Sequence, residues 1–92
     1  MNAYPGWLTL REIDASQGWS KGTAFRRFKQ VEPQLQESRD YQVLHHAQER
    51  HLVESLRASG RIYATSINVI LLAPSTVPKL IGDPAPAARR NG

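Results

Sequence analysis

Between Ser20 and Gln30 the chain holds four bases, Lys21, Arg26, Arg27 and Lys29, and no acid. Interleaved with them stand Ser20, Gly22, Thr23 and Gln30. This set suits the binding of a polyanion. Guanidinium and ammonium groups neutralise phosphates, and Arg, Thr and Gln side chains hydrogen-bond base edges. Covalent chemistry has no comparable set. The chain has no cysteine, no serine in a nucleophile-elbow pattern and no glycine-rich phosphate loop. Its carboxylates are scattered, with no pair spaced for acid and base roles. An enzyme is therefore not expected, nor a cofactor. His45, His46 and His51 are the only histidines. His46 and His51 stand five apart, off the spacing of three or four that places two ligands on one helical face, so no metal site is expected.

Two short helices must position the cationic set. Thr9 and Glu12 have capping-box spacing, so a first helix starts there, with Leu10 and Ile13 on one face. Leu8 or Trp7 closes over its start, and Trp7 is expected to pack on it. Gly18 stops the helix, because glycine takes the left-handed conformation without steric cost. Trp19 plugs the corner and Ser20 reads as the N-cap of a second helix, through Lys21 to about Glu32, just before Pro33. On that helix Ala24, Phe28, Val31 and Leu35 align as the inward face, with Phe25 beside them. Gly22, Thr23, Arg26, Lys29 and Gln30 face outward. A helix built this way rests on a core and presents charge.

Ile13, Gly18, Trp19, Ser20, Thr23 and Ala24 resemble the helix-turn-helix consensus. The run G-W-S-K-G-T-A-F-R-R-F is similar to the winged helix-turn-helix proteins of the MerR and phage excisionase group, over about residues 7 to 60. The resemblance implies an α+β fold: three helices, a small antiparallel β wing or sheet, and a flexible C-terminal tail. Asp14 departs from the pattern. It stands four before the glycine, where these motifs pack an alanine between the helices. Either the helix pair is spaced differently or Asp14 tilts outward.

The rest of the chain supports this pair. Gln34 to Asp40 reads as a polar loop and Tyr41–Leu44 as a short strand. In the wing reading Arg39 lies near the wing tip, within reach of phosphate or a minor groove. Residues 46–59 form a third helix with Leu52, Val53 and Leu56 as its apolar stripe and Gly60 as its stop; Arg50 and Glu54 are spaced for a weak surface pair. Residues 61–64 and 67–72 are β-like, the first a candidate partner for Tyr41–Leu44. Val69 to Leu72 is apolar on both faces and must be buried on both. The expected cover is a second copy, making a homodimer through residues 61–81; the alternative is the third helix.

At 92 residues the chain suits one small domain, here residues 1–81, with 82–92 as a basic Pro/Ala/Gly-rich tail. Hydrophobic content of 40% is ordinary for a globular fold. No stretch suggests a membrane span or a secretory leader; with no cysteine, the expected location is the cytoplasm. The net charge of +4 is uneven. Residues 1–19 carry −1, residues 20–30 carry +4, residues 31–60 carry −2 and residues 61–92 carry +3. Localised positive charge is the footprint of a nucleic-acid surface.

These features lead to a sequence-specific double-stranded-DNA-binding protein whose second helix enters the major groove N-terminus first. Ser20, Lys21 and the free amides of the first turn would hold phosphate. Arg26, Thr23, Gln30 and Lys29 would face base edges, and Arg27 would reach the backbone. The use would be a small transcriptional regulator, most simply a repressor of phage or mobile-element type. An excisionase-like DNA-bending factor for a recombinase is one alternative. Another is a protein-interaction module that offers the 61–81 segment to a recombinase or an RNA polymerase subunit. RNA is disfavoured because Phe25 and Phe28 are needed inside.

Overall fold

A computed structural model describes residues 4–82. The tail with Arg89 and Arg90 lies outside the described residues, as do residues 1–3. A two-residue strand, β1 (Leu8–Thr9), leads into helix α1 (Leu10–Gln17). The capping box at its start is complete. The Thr9 hydroxyl accepts from the Glu12 amide at 3.1 Å, and the Glu12 carboxylate accepts from the Thr9 amide at 2.8 Å. Gly18 ends α1 in the left-handed region, φ 67°. Its amide and that of Trp19 donate to the carbonyls of Ala15 and Asp14. The chain turns through Ser20–Gly22 into helix α2 (Thr23–Val31). A 3-10 turn at Glu32–Gln34 carries Pro33. There follow β2 (Tyr41–Leu44), α3 (Arg50–Ala58), β3 (Val69–Leu72) and α4 (Val77–Ile81).

The three strands form an antiparallel sheet in the order β1-β3-β2. Leu8 pairs with Leu72 on one side of β3; Tyr41 and Leu44 pair with Leu72 and Val69 on the other. As the central strand, β3 explains its own composition, since alternate side chains leave opposite faces. Leu72, with Ile70, joins a cluster of Ile13, Ala24, Phe28, Tyr41 and Leu80, drawn from α1, α2, β2 and α4. Val69 and Leu71 join Leu44, Val53, Leu56 and Ile62 on the α3 side. The sheet thus lies between two helical layers, and the continuous apolar run is a strand buried twice. Phe28 and Tyr41 meet edge to face, centroids 5.0 Å apart, which locks α2 onto β2.

Several expectations are corrected here. The burial that β3 needs comes from its own chain: from α3 on one face, as the alternative had it, and from α1, α2 and α4 on the other. Residues 61–64 form no strand; β3 takes their place beside β2. Residues 77–81 form a short helix, giving four helices in all among the described residues. Helix α3 begins at Arg50, because turn bonds from the Gln48 and Glu49 amides to the His45 carbonyl occupy the preceding residues. Glu54 pairs with His46 at 2.9 Å and Arg57 at 3.3 Å rather than with Arg50. Trp7 packs with Tyr4 into the α3-side cluster rather than on α1.

Candidate nucleic-acid interface

The second helix starts later than its sequence suggests. Thr23 is its first residue, Gly22 at φ 92° precedes it, and Ser20 lies outside, its hydroxyl 3.2 Å from that of Thr23. The capping group is Asp14. Its carboxylate, 2% exposed, accepts from the Ala24 amide at 2.8 Å, the Gly22 amide at 3.2 Å and the Tyr63 hydroxyl at 2.7 Å. Asp14 therefore does not tilt outward. It points inward and places a negative charge at the positive end of α2, as a helix dipole favours. The Thr23 amide is bonded to the Ser20 carbonyl at 3.1 Å. Three amides that would have cradled a phosphate are thus occupied, and a buried anion stands behind them. The expected phosphate site at this helix end is overturned, leaving Ser20 and Gly22 as corner residues.

Around that corner the loop after α3 is clamped to α1. Arg61 donates to Glu12 through two nitrogens, at 2.7 and 3.0 Å, and to the Trp7 carbonyl at 3.0 Å. Burial alone would raise the Glu12 pKa; the hydrogen bond from Arg61, then that from the Thr9 amide, outweigh it and hold the carboxyl below its ordinary range. The Tyr63 phenol is pushed up to about 12, first by burial and then by its bond to Asp14. Two cations lie over its ring: Lys21 with Nζ 5.0 Å from the centroid and Arg11 at 5.6 Å. Lys21 also reaches the Thr65 hydroxyl at 3.4 Å, and Arg11 donates to the Gly60 carbonyl. Both are exposed. Arg11 was missed in the sequence because it stands alone on α1; its placement beside Lys21 is tertiary.

Of the predicted residues, Thr23, Arg26, Lys29 and Gln30 share the outward face of α2, with Ala24 and Phe28 buried beneath. Arg26 is exposed, and its guanidinium donates to the Thr23 hydroxyl at 3.3 Å. Lys29 is 55% exposed and 2.7 Å from Glu32. Arg27 belongs elsewhere. It lies over the Trp19 ring at 4.4 Å and donates to the Leu80 and Ile81 carbonyls at 3.0 and 3.3 Å. It anchors α4 to α2 and is not free to reach a DNA backbone. Arg39 precedes β2 and pairs with Asp40, which itself accepts from the Gln36 amide at 2.8 Å. The β2–β3 connection runs from residue 45 to 68 and contains α3, so Arg39 is not at its tip. Phe25, expected inside, is 46% exposed.

No protein-family model, curated protein or solved structure matches the chain. Among the described residues no helix is long and apolar enough to cross a membrane, and no cluster of three metal-ligating side chains occurs. The site is defined by its own geometry: a cationic, hydrogen-bonding helix face, held outward by a buried underside.

Proposed function

We propose that the protein is a sequence-specific double-stranded-DNA-binding protein of winged helix-turn-helix type, with the outward face of α2 in the major groove. One observation carries this reading. Arg26, Lys29, Gln30 and Thr23 stand together on the exposed side of a helix whose other side is locked in the core through Ala24 and Phe28. Arginine bidentate to guanine is the commonest specific contact, so Arg26 is assigned to a base edge. Lys29 and Gln30 flank it. Lys21 and Arg11 sit at the leading end of the helix, where they neutralise backbone phosphates. The β2–β3 connection takes the place of the wing, and its 61–66 loop flanks the α2 N-terminus through the Tyr63 and Thr65 contacts.

The test is selection of bound sequences from random duplex DNA, followed by Arg26→Ala and Lys29→Ala on the selected site. An enriched sequence and loss of affinity in both variants support the reading; no enrichment, or unchanged low-salt affinity in both, sinks it. A footprint separates two uses. One symmetric site over a promoter marks a repressor; several direct repeats beside an attachment site mark an excisionase-like factor.

A protein-interaction reading has a specific feature of its own. A groove of about 500 Å³ lies between the end of α2 and α4, lined by Val31, Leu35, Pro78 and Lys79. It gains if the two alanine variants leave DNA binding intact.

A further inference from the structure

Phe25 is the third residue of α2 and one of two large hydrophobic side chains exposed among the described residues. A step of 100° per residue sets it beside Lys29 on the outward arc, followed by Arg26 and Gln30. A half-exposed aromatic ring within a cationic face calls for a ligand with two kinds of surface. It must offer hydrogen-bond acceptors to Arg26 and Lys29 and an apolar group to Phe25, all within about two turns of helix. The major groove supplies both: acceptors on base edges and phosphates and, on its floor, the 5-methyl group of thymine, which phenylalanine contacts without hydrogen bonding. A single-stranded ligand fits less well. Stacking tracks need several open rings, whereas Phe28 is 1% exposed, Tyr41 is buried and Trp19 lies under Arg27.

We propose that Phe25 is a specificity-determining residue that reads a thymine through its 5-methyl group. This inference rests on the DNA-binding reading above and adds a base and an atom to it. The ring neither donates nor accepts, so it gives no preference among the polar base edges. What it distinguishes is a methyl group from a hydrogen at the same carbon.

Thymine and uracil differ by that methyl group alone, which makes the test direct. Binding of the wild-type protein to its selected duplex is measured by fluorescence anisotropy, and each thymine is replaced in turn by deoxyuridine. One replacement should weaken binding roughly fourfold, the effect of removing one methyl group from an apolar contact. Phe25→Ala should bind the thymine and uracil duplexes alike, and Phe25→Leu should keep part of the difference. Circular dichroism confirms that both variants are folded; alanine at an exposed helix position favours the helix. The inference is overturned if no replacement affects the wild type, or if Phe25→Ala discriminates as well as the wild type does. Tighter, Phe25-dependent binding to a single strand overturns it in favour of stacking. Tight but methyl-blind duplex binding removes this inference alone, whereas failure to select any duplex removes the DNA-binding reading with it.

Discussion

Asp14 and Arg26 carry opposite duties at one helix. Asp14 sets where α2 begins; Arg26 faces what α2 meets. Arg26→Ala should lower affinity for the selected duplex by about tenfold or more and relax preference at one base pair, since a good bidentate contact contributes about 1–3 kcal/mol. Lys29→Ala should cost less and act more evenly across sequences, because Lys29 divides its charge with Glu32. Both effects are read by anisotropy titration against the selected site and single-base variants. Asp14→Ala should instead destabilise the fold by about 2–4 kcal/mol in denaturant melts, leaving the Gly22 and Ala24 amides and the Tyr63 hydroxyl without their acceptor. Tyr63 gives the same junction a pH signature. Its folded phenol holds its proton to about 12 against an ordinary 10.0. A raised folded pKa means stability present below pH 10 and lost as the pH climbs through 12. Tyr41, raised chiefly by burial, contributes in the same direction. Tyr63→Phe should therefore reduce, not abolish, the alkaline fall in melting temperature.

At the scale of elements, the Glu12–Arg61 pair ties the loop after α3 to the first turn of α1. The Glu12 carboxyl is held below its ordinary 4.5, so the pair's contribution is complete above that value and is lost as the pH falls through the depressed pKa. Melts between pH 7 and pH 3 should show this loss in the wild type. In Arg61→Met the acid slope should be shallower and the starting stability lower. The central strand makes a larger demand. Leu72 is fully buried between α1, α2 and α4, and Leu72→Ala should cost about 2–5 kcal/mol. That is a large share of the 5–15 kcal/mol typical of a whole domain. Loss of DNA binding in that variant should follow its unfolding curve. In Arg26→Ala binding should fall with the melting temperature unchanged, which separates the helix face from its support.

At the scale of the whole molecule, charge and burial decide association. With β3 covered on both faces by its own helices, the free protein should sediment as a 10.3 kDa monomer at tens of micromolar. Binding to repeated or two-fold sites would then depend on DNA to bring copies together. Four exposed bases, Lys21, Arg11, Arg26 and Lys29, lie on or beside α2. The slope of log affinity against log salt should accordingly be about −2 to −4. Removing Lys21 should make it shallower by roughly one.

The start of α1, its stop at Gly18, the Ala24–Phe28 underside of α2 and the outward placing of Arg26 and Lys29 were legible in the sequence. Each follows from rules acting within one or two helical turns: capping-box spacing, a glycine's freedom at positive φ, and a repeat of 3.6 residues. The need of Val69–Leu72 for cover on two sides was legible too, because it is a property of composition. The third helix was in view as one cover; that α1, α2 and α4 close the other face was not, since it required distant segments to fold back onto the strand. The same limit applies to single side chains. Asp14 looked misplaced because its partners, Ala24 and Tyr63, lie ten and forty-nine residues away. Arg27 looked free because the carbonyls it meets are on α4. Local periodicity sets which way a residue points; only the packing of distant segments decides whether the space it points into is water, core or a partner, and that is where Phe25 parted from the sequence.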